Sequence, residues 1–349
     1  MITRDLRHSI TSAVAAAGFA AAADPGLRPT GTPGQYAASV ALALGQHPRQ
    51  AAATLAARLA EEPWIAAAEV TGPGYLTITV TPEALAAVAA TVTAAGPACV
   101  TSAALAGVTV PAAPLGDPLA APTWERARTA LAARLTARLA AAAGATVADL
   151  AATERQRPTL PARASSLDAA EPETAGPRSG GYGGSPPRET TAAVCFAGRD
   201  AVTFTLARAI PGQPLRLDKE IMARRLPANP AYAVRYAHAR AASGVRWAVT
   251  SRGATALPGP PVDPGELALL DALSWLPERV ATAARRGRPD EFARYLEDLA
   301  SVTVDVLSSA SHPGSGAAPG SDKLGLASAA RTGLAAGLGL LEVTAPERL

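Results

Sequence analysis

The chain has 349 residues, of which 17% are charged and 4% aromatic, and its formal net charge is +3. This length allows two or three domains, and the small positive charge permits an RNA partner without requiring one. Its two cysteines, Cys99 and Cys195, have neither the spacing of a metal site nor that of a disulfide framework. We therefore expect no metal, and a cytoplasmic location is the default for such cysteine usage.

The first residues contain an alanine-rich run over 13–23, with Asp5 and two arginines before it. Weak apolarity and the acidic residue favour an amphipathic helix over a signal peptide. Nowhere does the sequence appear uniformly apolar over the length that a bilayer requires. We therefore expect no membrane partner.

Residues 1–95 are typical of a small α+β module. Glycines around Pro73 predict a turn, and the segment after it alternates as a strand does. A helix is expected to begin at Pro82. The other predicted elements are helices over 5–23, 35–45 and 49–61, and strands over 68–70 and 75–80.

The middle of the chain combines one helix with a long polar segment. Leu131, Leu135 and Leu139 recur every four residues and predict a helix over 123–143. Residues 151–191 are rich in proline, glycine, serine and arginine, a composition that predicts a linker without a core. A folded segment is expected to resume after it.

From residue 229 onward the pattern predicts a helical bundle. Helices are expected over 230–250, 263–287, 290–310 and 323–337, with a break near Pro277 and a loop at 312–321. Asp263 and Glu266 are spaced as in a capping box. The predicted fold class is mostly α, with a small α+β N-terminal domain and a C-terminal all-α helical bundle.

The richest segment is 229–240. Asn229 is a good helix cap, and Pro230 suits the first helical position. Tyr232, Arg235, Tyr236 and Arg240 then recur at helical spacing. Such side chains can stack on unpaired bases and pair with phosphates. An amphipathic helix with half-buried tyrosines is the structural alternative.

Residues 229–240 resemble the start of the anticodon-binding helical domain of arginyl-tRNA synthetases. There, asparagine-proline precedes a tyrosine and then tyrosine-alanine-histidine-alanine-arginine. Residues 34–42 and 70–76 resemble the family's N-terminal additional domain. The resemblance implies a bundle of the class I synthetase anticodon-binding (DALR) type. It divides the chain into an N-terminal-like domain (1–95), a degenerate catalytic remnant (96–150), the linker (151–191), the end of a catalytic-like segment (192–228) and the DALR bundle (229–349).

The resemblance also implies two tRNA-binding surfaces. The residues assigned to the anticodon arm are Tyr232, Arg235, Tyr236, Arg240, Arg246, Trp247 and Tyr295. Those assigned to the tRNA corner are Gln35, Tyr36, Ser39 and Tyr75, where Gln35 and Ser39 replace the aspartate and asparagine usual in the family. His238 is interpreted as a packed histidine.

Several positions depart from the family pattern. Ala233 replaces a common tyrosine, and other residues stand where the family often has aromatics: Glu297, Thr303 and Val306. Missing stacking platforms should weaken anticodon binding. A basic corner forms either a solvated helix end or a phosphate clamp: Arg285, Arg286 and Arg288.

The catalytic signatures of a class I synthetase are not found. Such enzymes carry histidine-X-glycine-histidine and a lysine-rich loop, which stabilise charge on ATP phosphates. The four histidines form no such motif, and the two lysines, Lys219 and Lys323, lie in no matching loop. Residues 122–128 resemble the family's stretch around the histidine signature, and on that alignment residues 123–126 occupy its place. A coincidence of the alanine and arginine bias is the alternative. Residues 96–192 are also too few for a complete nucleotide-binding sheet.

Three functions remain open. The first is a non-catalytic tRNA-binding paralogue of arginyl-tRNA synthetase that needs no cofactor. Its linker would let the two tRNA-binding domains adjust their positions. The second is an arginine–tRNA ligase, alone or with a protein partner supplying the catalytic fold, for which ATP would be the cofactor. The third is a protein-interaction module that has lost RNA binding.

Overall fold

A computed structural model describes residues 1–20, 24–45, 47–148, 189–215, 217–252, 263–309 and 322–349. Most of the predicted linker and the whole predicted loop at 312–321 lie outside these residues. The last three residues assigned to the linker belong to a helix that begins at Glu189. The fold is mostly helical with one small antiparallel sheet, as predicted.

The N-terminal module packs helices on one face of a four-stranded sheet. In chain order its elements are α1 (Ile2–Ala16), β1 (Arg28–Pro29), β2 (Gln35–Ala38), a short 3-10 turn (Val40–Ala43), α2 (Pro48–Leu59), β3 (Ile65–Thr71), β4 (Tyr75–Val80) and α3 (Pro82–Ala95). The antiparallel strands lie in the order β1-β2-β4-β3. The predicted turn and the helix at Pro82 are confirmed.

The helix predicted over 35–45 is wrong. Residues Gln35–Ala38 form β2, paired with β4 so that Gln35 lies opposite Thr79 and Ala38 opposite Leu76. Alternate β2 residues are buried, as in a strand with one covered face. The local helical preference of alanine is overridden because β2 completes the sheet between β1 and β4.

The β3–β4 turn depends on a close backbone approach at Gly74. Its φ is 140°, a conformation that side chains rarely adopt. A Cβ placed there would lie 2.8 Å from Cβ of Pro48 and 2.9 Å from its carbonyl carbon. The absence of a side chain therefore lets the turn sit against the start of α2.

By length and composition alone, Pro82–Val100 is apolar enough to cross a membrane, and 33% of that window is buried. The expectation that no such stretch exists is therefore wrong for this segment, which owes its apolarity to alanine. In the structure α3 buries Leu85, Val88 and Val92 and packs on the C-terminal bundle. Core helices of this kind meet the same criteria.

A strand–helix–strand unit follows. After a 3-10 turn (Gly96–Val100), β5 (Thr109–Pro111) pairs in parallel with β6 (Thr146–Ala148), and α4 (Trp124–Ala142) connects them. The Thr123 side chain accepts the Arg126 amide and starts α4. The predicted helix is confirmed, with its leucine stripe buried. Parallel strands joined by a helix are the repeating unit of doubly wound sheets.

Three helices lead into the bundle: α5 (Glu189–Ala197), α6 (Arg199–Arg208) and α7 (Lys219–Ala223). The described residues between Pro214 and Asp218 have no regular structure. Pro214 lacks an N–H for a sheet ladder. Asp218 instead caps α7, accepting the amides of Glu220 and Ile221 at 3.0 Å.

The C-terminal bundle contains α8 (Pro230–Arg252), α9 (Pro264–Ser274), α10 (Leu276–Arg286), α11 (Pro289–Ser309) and α12 (Asp322–Leu340). The break predicted near Pro277 is confirmed, since α9 and α10 meet at Trp275. The predicted capping box is not formed, because the Asp263 side chain makes no cap bond. α8 packs against α11 and α12.

The N-terminal module contacts the bundle directly. Tyr36 hydroxyl lies 3.0 Å from Oγ of Ser274, and the Gly34 amide donates to Asp271 at 3.1 Å. Thr3 hydroxyl donates to the Ser274 carbonyl oxygen at 2.7 Å. These contacts join the two regions around one buried junction. The described parts of the two regions are therefore packed together, while the linker expected to let them adjust lies almost wholly outside the described residues.

Ion pairs reinforce this junction. Glu278 accepts Arg7 at 2.7 Å and Arg285 at 3.3 Å, while Asp24 accepts both of those arginines. Arg285 therefore belongs to the domain junction, not to a solvated helix end or a phosphate clamp. The two other arginines of the basic corner pair with acids at the start of α11, Arg286 with Glu291 and Arg288 with Asp290.

Candidate nucleic-acid interface

The start of α8 is held by Asn229, as predicted. Its Oδ1 accepts the amides of Ala231 at 3.1 Å and Tyr232 at 3.4 Å. Its Nδ2 donates to the carbonyl oxygens of Met222 at 2.7 Å and Arg224 at 3.0 Å. The buried asparagine thus both caps the helix and fixes the preceding segment.

One face of α8 carries an aromatic stripe, Tyr232, Tyr236 and Trp247. Tyr236 is 40% exposed and Trp247 61% exposed. The two tyrosine rings stack with centroids 5.9 Å apart and an interplanar angle of 21°. The three residues lie four and eleven positions apart, so they share one line on the helix. At 1.5 Å per residue the stripe extends over about 22 Å.

The predicted arginines of α8 are held by the chain itself. Arg235 lies 3.3 Å from Asp200 and 3.4 Å from the Thr344 hydroxyl. Arg240 donates to the Leu307 carbonyl oxygen at 3.4 Å. Arg235 and Arg246 lie eleven positions apart on a neighbouring cationic line, about 100° around the helix from Tyr236 and Trp247. Arg240 follows Tyr236 by four positions and lies beside the aromatic line.

Tyr295 does not lie on this surface. It is buried, and its hydroxyl donates to the Ala272 carbonyl oxygen. Its ring stacks on Phe292 with centroids 6.1 Å apart, and burial raises the pKa of its hydroxyl far above the ordinary value. The prediction of an RNA contact is corrected: Tyr295 packs α11 against α9.

The three α11 positions at which the family often has aromatic residues do not form an exposed surface. Thr303 and Val306 are buried, so these positions face the core. Glu297 pairs with Arg208 of α6. The reading of these positions as lost stacking platforms is corrected, because their side chains contribute to packing or to an ion pair between helices.

His238 is a packed histidine, as predicted. It is buried, and its Nδ1 lies 2.9 Å from the Pro346 carbonyl oxygen. Burial lowers the pKa of His238 from 6.5, outweighing the upward effects of that carbonyl and Glu347, while Arg331 also lowers it. The folded protein therefore favours the neutral imidazole.

Acidification should destabilise the protein through His238. The unfolded chain takes up this proton near the ordinary pKa and the folded chain only at lower pH, so the stabilisation is complete above the ordinary pKa and is lost as pH falls through the folded-state value. Between about pH 7.5 and pH 5.5, the melting temperature of the wild type should fall more steeply than that of His238→Gln. Parallel melting curves would contradict the prediction.

The predicted corner residues separate onto two faces of the sheet. Gln35 and Tyr75 lie on the partly exposed face, where Thr77 and Thr79 accompany them. Tyr36 points to the other face and is fully buried. Adjacent strand residues point to opposite faces, so Gln35 and Tyr36 cannot both face RNA. The prediction for Tyr36 is corrected to a junction contact.

Ser39 has a local structural contact. Its amide donates to the Pro25 carbonyl oxygen at 3.2 Å, and the side chain packs at Gly26, where a Cβ would lie 2.1 Å from the serine hydroxyl. The exposed sheet face also carries Glu69 opposite Thr77. This carboxylate lowers the attraction of the face for phosphate.

A cavity of about 450 Å³ lies between the end of β5, α4 and α6. Glu125 and Arg128 line it and bond to each other. Arg128 also donates to the carbonyl oxygens of Ile210 at 3.4 Å and Gln213 at 2.6 Å. Its guanidinium is thus committed to internal partners.

An α+β module thus docks on a helical bundle that carries an exposed aromatic face. Residues 4–80 match the arginyl tRNA synthetase N terminal domain, and residues 234–349 match the DALR anticodon binding domain. Together these matches cover more than half of the chain. The chain therefore contains two domains similar to those of arginyl-tRNA synthetases.

The similar proteins include arginine–tRNA ligases. Those of Frankia alni and Pseudarthrobacter chlorophenolicus are 36% and 35% identical over 162 and 167 residues, each alignment covering 44% of this chain. The chain spans only 29% and 30% of those relatives. Thermus thermophilus arginyl-tRNA synthetase matches the structure with a TM-score of 0.67 at 16% identity, covering 100% of both chains. This likeness shows the fold.

Proposed function

We propose that this protein is a non-catalytic tRNA-binding paralogue of arginyl-tRNA synthetase. The anticodon arm would bind the 229–349 bundle and the tRNA corner the 1–95 module. The observation that carries the proposal is the exposed aromatic stripe within and beside the segment matched by the anticodon binding domain. Exposed rings on one line offer sequence-tolerant stacking for unpaired bases.

The first test is a filter-binding titration. Labelled tRNA is compared with an unrelated RNA of equal length and charge at several salt concentrations. We expect tighter binding of tRNA, and a steep loss of affinity with salt as phosphate contacts release counterions. Equal affinity for both RNAs would refute the proposal, because charge alone would then explain binding.

The environment of α4 supports the absence of catalysis. A ligase of this family would place ATP phosphates near the N-terminus of such a helix, where free amides and the helix dipole bind anions. Here Glu125 adds a carboxylate to the first turn, and the Thr123 hydroxyl already accepts the Arg126 amide at 3.3 Å. Arg128 is bound to Glu125. These residues do not fit the phosphates of ATP.

A ligase is the second candidate, favoured by the names of the relatives. It would act alone or with a partner chain supplying the catalytic fold. Arginine-dependent exchange of pyrophosphate into ATP tests it directly, first with the pure protein and then with a cell extract of the source organism. Exchange by the pure protein would overturn the non-catalytic proposal. An interaction module without RNA binding remains as the third candidate if no RNA binds.

A further inference from the structure

The 343–349 segment, which follows α12, lies along the cationic line of α8. Thr344 donates its amide to Asp200 at 3.2 Å, and the Pro346 carbonyl oxygen meets His238. Glu347 reaches Arg246 farther along the helix. Positions 235, 238 and 246 face this segment. Arg235 and Arg246 lie about 100° around α8 from the adjacent Tyr236 and Trp247.

Glu347 is held between two arginines. Arg331 of α12 donates to its Oε1 from Nε at 3.0 Å and from Nη2 at 2.6 Å. Arg246 of α8 donates to its Oε2 from Nη1 at 3.2 Å. We name Arg246 and Arg331 the arginine clasp. Arg331 thus directs two N–H groups at one carboxylate oxygen, and Arg246 also donates to the Glu347 backbone carbonyl oxygen at 3.0 Å. A phosphate oxygen can accept from a guanidinium in the same way.

The clasp can exchange its anion. The side chains of Glu347, Arg246 and Arg331 are 49%, 38% and 41% exposed. Exposed ion pairs contribute little to stability and are screened by salt. A dense array of phosphates therefore competes well for the two guanidinium groups.

The clasp borders a groove of about 600 Å³ that lies between α12, the end of α4 and the Gly96–Val100 turn. Arg138, His238 and Arg331 line it, and Glu347 is the single acidic side chain among the described lining residues. Trp247 is the next residue after Arg246 on α8. Adjacent Cα atoms are about 3.8 Å apart, so a nucleotide stacked on Trp247 would have its phosphate within reach of Arg246.

We infer that the arginine clasp is a phosphodiester-binding site for the RNA that the aromatic stripe stacks, and that Glu347 occupies this site in the free protein. The inference rests on the proposed function and adds a contact to it. RNA binding exchanges one anion for another, with no covalent change. The carboxylate of Glu347 leaves both arginines and a phosphate takes its place.

The decisive variant is Glu347→Gln, which keeps the shape of the side chain and removes its charge. We expect it to bind tRNA about twofold to fivefold more tightly than the wild type, since the competing ion pair is gone. The logarithmic salt dependence should steepen by about one counterion. Glu291→Gln is the matched control, because Glu291 is also a surface acid paired with an arginine, Arg286 at 3.1 Å, at the far end of α11. It should bind as the wild type does.

Arg331→Gln supplies the opposite change. It should weaken tRNA binding and make the salt dependence shallower by about one counterion, an effect that a purely structural role would not produce. Thermal unfolding of each variant establishes that it is folded. If Glu347→Gln matches Glu291→Gln in affinity and salt dependence, the inference is overturned, while the proposed function stands as long as the wild type prefers tRNA. If the folded wild type binds no tRNA, the proposed function fails and the clasp with it.

Discussion

Replacing Tyr236 and Trp247 together with alanine is expected to weaken tRNA binding by at least about 30-fold, because stacking contributes about 1–3 kcal/mol per base. Both rings are exposed on α8, so neither fills the core. The measurement is the dissociation constant from filter binding at one fixed salt concentration. Thermal unfolding of the double variant should stay close to that of the wild type, which separates lost stacking from lost folding.

Two comparisons sharpen this result. Trp247→Phe keeps a ring on the stripe and should retain most of the affinity. Phe196→Ala removes another exposed ring, 62% exposed, that lies on α5 outside the stripe. It should leave tRNA binding unchanged. An equal loss with Phe196→Ala would show that exposed aromatic rings act without regard to position, against the assignment of α8.

Replacing Glu278 with alanine is expected to lower the free energy of unfolding by about 2–4 kcal/mol, since it leaves two arginines short of a partner at the domain junction. The Glu278 side chain is 9% exposed and binds Arg7 and Arg285. The estimate lies below the full cost of breaking a buried pair because Asp24 remains and both arginines are partly solvated. Urea unfolding at neutral pH measures the change.

The surface pair between Glu291 and Arg286 provides the control for this prediction. Glu291→Ala should cost at most about 1 kcal/mol, as exposed pairs generally do. If Glu278→Ala costs no more than Glu291→Ala, the junction is held by the contacts of Tyr36, Ser274 and Asp271 instead. A broadened or biphasic transition for Glu278→Ala would show that the two domains unfold separately.

Features that are determined by residues close together in the sequence could be predicted from the sequence. Asn229 caps α8, Pro277 separates two helices, and the leucine stripe of α4 is buried. Each depends on residues within a few positions of one another. The strand at Gln35–Ala38 was missed because its alanines favour helix locally, and only pairing with β4 makes it a strand.

The candidate site was predicted in part for the same reason. Helical spacing placed Tyr232 and Tyr236 on one face, and the angle between neighbours could also have separated Arg235 from them. The ion-pair partners of the arginines could not be predicted from the sequence, since Asp200 and Glu347 come from distant segments. Tyr36 could have been assigned to the core from strand alternation, had the strand been recognised.

The packed junction between the N-terminal module and the bundle fixes the span between the two proposed RNA surfaces. Tyr36, Gly34 and Arg7 hold the module on α9 and α10. A molecule long enough to touch both surfaces meets them already positioned, so its second contact forms at high effective concentration. A shorter molecule reaches one surface and gains nothing from the other. Under the proposed function, affinity should therefore depend on the length of the RNA as well as on the bases that it presents.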